Sequence, residues 1–180
     1  VAISAPLVSC PMNRTLWSAA LLVACASRVT AQEVSEGTFT HKEHKIKLTV
    51  PDKDKFVLRT KDFEWGWPNT ICEFGNEESG VGGAVVVSKE SKSAKEYAEW
   101  RLGSWKTQEG IEKLESLKSE KATGRSGDWW MAEYRLKYGD ATYHYLQLFR
   151  SDAKEQIVAE VVAWNVEEEW PNSRASVQKL

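Results

Sequence analysis

The chain has 180 residues, 42% hydrophobic and 28% charged, with a formal net charge of −2. That is one domain's worth of ordinary globular composition, without the concentrated basic charge of a nucleic-acid binder or the polybasic run of a lipid-surface binder. Nine tryptophans are the unusual feature, and rings of that size supply a core without disulfide staples.

Residues 1–31 read as a signal segment. Met12-Asn13-Arg14 gives a short positive start, residues 15–26 (TLWSAALLVACA) an apolar stretch, and Val29-Thr30-Ala31 a small-x-small cleavage pattern that leaves Gln32 first. Residues 1–11 precede Met12, carry no charge, and read as an over-extended start. The apolar run is shorter than the ~20 residues a bilayer span needs, and no later stretch is a transmembrane candidate. The expected location is therefore outside the cytoplasm, periplasmic or secreted. Leu22-Val23-Ala24-Cys25 also resembles a lipobox. In that alternative Cys25 is acylated and tethers the chain to a membrane as a lipoprotein. Arg14 and Arg28 are the only charges before Gln32, so removal of residues 1–31 takes the formal charge from −2 to −4. Cys10 and Cys25 leave with it. Cys72 remains alone, beside Glu73, and reads as a buried small hydrophobe.

The mature chain opens on residues 32–43, polar enough to predict a flexible lead-in. His44–Val50 (HKIKLTV) alternates apolar and polar and predicts a half-buried strand stopped by Pro51. Phe56–Arg59 reads as a short strand, and Asp62–Thr70 (DFEWGWPNT) as a loop punctuated by Gly66 and Pro68. Ile71–Phe74 and Val81–Ser88 are strands, with Gly82-Gly83 marking a bulge or a close backbone approach. Ser93 and Glu96 form a capping box ahead of a 3.6-residue pattern, which predicts a helix over Ala94–Gln108 with Gly110 beyond it. A strand is predicted over Glu115–Ala122, then a turn at Gly124–Asp128. Hairpins follow: Trp130–Tyr138, a Gly139-Asp140 turn, Thr142–Arg150, a turn at Ser151–Lys154, and Gln156–Trp164, apolar on both faces and so placed centrally. A last helix starts at Trp170-Pro171 and runs to Leu180. Strands, helix, strands, helix is an α+β order built on an antiparallel sheet.

Taken together, the strand ending in proline (HKIKLTVP), the capped helix after an apolar strand, the segment GRSGDWWMAEYRL, the two hairpins and the Trp-Pro helix start resemble the PsbP-like fold. That superfamily is named for an extrinsic subunit of photosystem II and includes the Ran-binding Mog protein and exported bacterial members. The resemblance covers residues 44–180. It implies a single domain, an antiparallel sheet flanked by helices in an α/β/α sandwich, and binding or assembly in place of catalysis. It carries no functional residue onto this chain.

The residues themselves point the same way. No nucleophile elbow, phosphate loop or dinucleotide fingerprint is present. We assign no catalytic residue, no cofactor and no metal centre, and read the chain as a non-enzyme. A secreted hydrolase without a recognisable motif is the competing class. His41 and His44 are weak metal candidates, since on an extended strand they point to opposite faces and cannot chelate together. His144, between Tyr143 and Tyr145, reads as a structural or surface residue. Glu167-Glu168-Glu169 reads as a solvated approach to the last helix. Trp100, Trp105, Trp130 and Trp164 fall at periodic positions and are assigned to the core. Trp65 and Trp67, flanking Gly66 in a loop, and Trp129, out of phase with Trp130, are the partner-binding candidates. The expected partner is a protein or small ligand of the cell envelope, not nucleic acid.

Overall fold

The computed structural model describes residues 32–65, 67–122 and 128–177. Residues 1–31, expected as a signal segment and including Cys25, together with Gly66, most of the 124–128 turn and the last three residues, lie outside the described residues.

Seven antiparallel strands form the main sheet: β4 (Val57–Arg59), β5 (Thr70–Asn76), β6 (Val81–Lys89), β7 (Ile111–Lys121), β8 (Trp129–Tyr138), β9 (Ala141–Asp152) and β10 (Ile157–Val166). Their order is β4-β5-β6-β10-β9-β8-β7. The strand that is apolar on both faces, β10, is thus the middle one. Burial on two sides is what selects Val, Ile and Ala at consecutive positions there.

One face is covered by α1 (Ala94–Lys106). The Ser93 hydroxyl accepts from the Glu96 N–H at 3.3 Å, and the Glu96 carboxylate accepts from the Ser93 N–H at 2.9 Å. The Ser93 N–H, and the Ser93 hydroxyl, which donates to the same carboxylate at 2.8 Å, hold the Glu96 carboxyl below its ordinary value. Ala94, Tyr97 and Ala98 pack on Ala132, Phe149 and Val158. The small alanines let the helix approach the sheet closely. Trp100 does not join them. It lies a third of a turn off the apolar stripe, is 47% exposed, and packs beside Tyr97 with the Lys92 ammonium 5.5 Å from its ring. Its assignment to the core is corrected on that ground.

The other face is covered differently from the expected sandwich. A second, three-stranded sheet lies there: β1 (Gln32–Ser35), β2 (Thr38–His41) and β3 (Ile46–Thr49), with α2 (Trp170–Val177). Phe39 and Leu48 from this sheet, Val50 just beyond it, and Trp170 and Val177 from α2 pack with Cys72, Phe74, Val85 and Leu146. The described residues are sheet-dominated: they hold ten strands and two helices, and α2 spans just eight residues. The polar segment 32–43, expected as a flexible lead-in, forms a hairpin instead. Glu36 and Gly37 turn it with φ of 46° and 73°, and Phe39 is fully buried. One buried phenyl ring outweighs the polarity around it, since its burial is worth about 1.5–3 kcal/mol.

Strand β7 starts four residues before its expected onset, at Ile111, because Ile111 and Leu114 pack against the α1-side core. Gly83 shows the close approach expected of it. A Cβ there would stand 2.1 Å from Phe74 Cζ.

Cys72 is fully buried, and burial pushes its thiol up to about 12. The native thiol is expected to resist iodoacetamide at pH 8 and to react fully in denaturant. Labelling of the native protein at the rate of a free thiol would contradict its burial.

Candidate functional site

A row of paired residues crosses the α1-side face. Gly75 on β5 faces Gly82 on β6, Gly82 faces Trp164 on β10, Trp164 faces Tyr145 on β9, and Tyr145 faces Tyr134 on β8. Two positions without side chains beside three large rings make a trough. Trp164 lies down into it, and a Cβ on Gly82 would stand 2.8 Å from its indole.

The loop between β4 and β5 folds back over this trough. Glu73, almost fully buried, accepts backbone N–H bonds from Glu64 at 2.7 Å and Trp65 at 3.0 Å. Arg59 pairs with Glu64. So anchored, the loop sets Trp65 edge-on to Trp164, with centroids 4.7 Å apart at 75°, and lays Trp67 nearly parallel to Trp164 at 5.2 Å and 24°. Trp67 also meets Trp105 of α1 at 5.8 Å. The Arg101 guanidinium stands 5.7 Å from the Trp67 ring and 5.8 Å from the Trp105 ring. Arg101 is held in turn by the buried Glu160, 3.3 Å from its Nε. Burial pushes the Glu160 carboxyl above its ordinary value, while Arg101 and Gln147 oppose that shift.

Two cavities open beside these rings. One, of about 250 Å³, lies among Arg59, Glu64, Trp65, Glu73, Asn76 and Trp164. The other, of about 390 Å³, lies among Trp65, Trp67, Trp105, Tyr138, Tyr143 and Trp164. They share Glu64, Trp65 and Trp164 and so form one aromatic trough. Trp105 Nε1 is buried without a hydrogen-bond partner among the described residues.

Trp65 and Trp67 are therefore brought together, half-buried, as both roof and lining of the trough. Trp105 and Trp164, assigned to the core from their periodicity, belong to the same cluster. Trp129 does not. It lies at the other end of β8, on the opposite face from Trp130, with the Arg150 guanidinium 5.9 Å from its ring. Trp130 packs on the α1 side and donates from Nε1 to the Ser119 hydroxyl at 2.9 Å.

His41 and His44 depart from their expected placement. The chain turns over residues 42–45, so the two rings stack at 4.5 Å and 9° in place of pointing apart. One donor atom each from His41, Glu43 and His44 lies within 4.8 Å of the others. Imidazole lone pairs lie in the ring planes, and two nearly parallel planes do not converge on one ion. The donors are clustered without being aimed. Burial and the neighbouring His44 lower the His41 pKa.

His144 enters a buried charge network that residue spacing did not reveal. Its Nδ1 lies 2.8 Å from a Glu167 oxygen and its Nε2 2.9 Å from a Glu133 oxygen. Arg135 donates to Glu167 at 2.7 Å, Arg174 reaches Glu133 at 3.4 Å, and the imidazole stacks on Trp170 at 4.2 Å. The 133/144 pairing arises from β8–β9 register, and Glu167 arrives from the far end of β10.

The architecture is similar to the solution structure of cyanobacterial PsbP (CyanoP) from Synechocystis sp. PCC 6803, with a TM-score of 0.53 over 86% of this chain and 92% of that one, at 13% identity. The chain has a PsbP-like fold. A weaker likeness, TM-score 0.49 and 9% identity over 79% of this chain and 90% of the other, is to PA94, a protein of unknown function from Pseudomonas aeruginosa. No protein-family model and no curated protein matches the sequence. Among the described residues of the PsbP-like domain, no helix is long and apolar enough to cross a membrane.

Proposed function

We propose that this chain is an exported, non-catalytic accessory domain that works by binding a protein segment or small ligand of the cell envelope, and that the aromatic trough is its contact surface. The observation that carries the reading is the convergence of Trp65, Trp67, Trp105 and Trp164 on a depression cut by Gly75 and Gly82, with solvent-reached cavities beside it. Rigid aromatic rings present large contact area at small entropic cost, which is why they dominate binding hot spots.

A pull-down from envelope extract with the full chain as bait tests it. Trp65→Ala with Trp67→Ala is expected to abolish capture while lowering stability by only about 1–3 kcal/mol, since both rings are half-buried. Capture that survives the double substitution would sink the trough as the contact surface. Export has its own test: mass spectrometry of the secreted chain is expected to find Gln32 at the amino terminus. An acylated Cys25 would establish the lipoprotein alternative instead.

A further inference from the structure

Strand β7 (Ile111–Lys121) is an edge of the seven-stranded sheet, and no strand among the described residues pairs with its outer side. It carries Glu112, Lys113, Glu115, Lys118, Glu120 and Lys121. These charges are arranged symmetrically about the point between Ser116 and Leu117. Glu112 mirrors Lys121, Lys113 mirrors Glu120, and Glu115 mirrors Lys118. Each mirrored position holds the opposite sign.

A strand with that order is complementary to a second copy of itself running antiparallel. The geometry must also satisfy a parity condition. A two-fold axis perpendicular to a sheet preserves its faces, so residues set opposite each other must point to the same face. In a regular strand, side chains alternate with period two, and an axis between two residues would oppose residues of different faces. Strand β7 is not regular. Its register against β8 shifts between Ser116 and Lys118, leaving Leu117 as an extra residue. Alternation inverts across that bulge. Lys113 and Glu115 pair with Lys137 and Arg135 of β8, while Lys118 and Glu120 pair with Glu133 and Met131. Those four β8 positions share one face, the one turned away from α1. The four β7 charges therefore share it too, and the bulge removes the parity conflict for these two mirrored pairs; Glu112, set in a second register shift between Ile111 and Lys113, takes no part in the seam.

We infer that the chain forms a two-fold dimer in which β7 pairs antiparallel with β7 of a second copy, about an axis between Ser116 and Leu117. The two sheets join into one of fourteen strands. Lys113 then faces Glu120 of the second copy, and Glu115 faces its Lys118. Within one copy, Lys113 lies 3.8 Å from Glu115 and Lys118 lies 2.8 Å from Glu120. Association places these two pairs against their inverted equivalents, so charge alternates along and across the seam. Leu117, 38% exposed in the single chain, comes to lie beside the axis. Charged residues and bulges on an edge also serve to keep sheets apart. That role needs the charges but not their mirrored order.

Sedimentation of the full chain at low salt, from about 1 µM to about 1 mM, tests the inference, since screening weakens exposed pairs. A reversible monomer–dimer equilibrium is expected. Lys113→Glu sets like charges opposite each other at two symmetric places in the seam. Within its own sheet it faces Lys137, so the single chain keeps its fold, which a thermal melt verifies. The dimer Kd is expected to rise by about tenfold or more. Adding Glu120→Lys to the same chain restores opposite charges and is expected to bring the Kd back to within about threefold of the original. A chain that stays monomeric to the highest concentration overturns the dimer. A Kd unmoved by Lys113→Glu, or not restored by the second change, overturns this register.

Discussion

His144→Phe is expected to lower stability by about 3–4 kcal/mol, a large part of the 5–15 kcal/mol that holds a domain of this size together. Phenylalanine keeps an aromatic ring over Trp170 and removes both ring nitrogens. Among the described residues, Glu133, 7% exposed, then keeps Arg174, at 3.4 Å, and Glu167 keeps Arg135. A buried carboxylate stripped of its main partner costs more than the pair contributed, because desolvation is no longer offset. Each ring nitrogen of His144 meets one of the two carboxylates, so phenylalanine removes both contacts at once. A shift in melting temperature of roughly 8–15 °C corresponds to that loss in a chain of this length. Combining His144→Phe with Glu133→Gln removes the stranded charge and is expected to recover part of the loss. A double-mutant cycle measures the coupling. Because Trp170 and Arg174 both belong to α2, amide exchange in α2 is expected to rise before exchange in β9. A loss below about 1 kcal/mol would mean that the network carries little of the fold's stability.

Trp164→Ala is expected to cost about 2–4 kcal/mol and to abolish binding in the trough. Its indole is the platform on which Trp65 rests edge-on and Trp67 lies flat, and Tyr145 stands 6.0 Å behind it. Removing it leaves the loop tied by Glu73 but without a surface to pack on. Gly82→Ala separates lost volume from lost geometry. It retains every ring, yet its new methyl group would stand 2.8 Å from Trp164 Cε2 and Cζ2 and must lift the indole. A cost of about 1–3 kcal/mol is expected, with the near-ultraviolet circular dichroism of the stacked Trp67–Trp164 pair reduced and binding lost. Unchanged binding by the Gly82→Ala protein would show that the indole position does not matter to the occupant.

Hydrophobic period and turn chemistry by themselves determined most of the elements. The Ser93/Glu96 box placed α1, the two-faced apolar run of residues 156–164 placed β10 at the centre, and Gly139-Asp140 placed the β8–β9 hairpin. These signals are local, arising from caps, turns and alternation within one segment. The same reading missed the hairpin at 32–41, because its one decisive residue, Phe39, is buried by strands and loops remote in sequence.

The trough was only half legible. Trp65 and Trp67 stood out as loop aromatics, but Trp105 and Trp164 looked like core, since period reports the face a residue takes and not what covers that face. Whether a ring is buried or lines a cleft depends on its cross-strand neighbours. Here those are Gly82 and Gly75, 82 and 89 positions away from Trp164 along the chain. His144 and its two carboxylates came together for the same reason. Register between β8 and β9 and the return of β10 decide that contact, and neither is encoded within any single segment. Sequence period set the elements and their faces, while tertiary pairing alone decided which side chains meet, because contact between distant segments depends on strand order and register, which spacing within one strand does not specify.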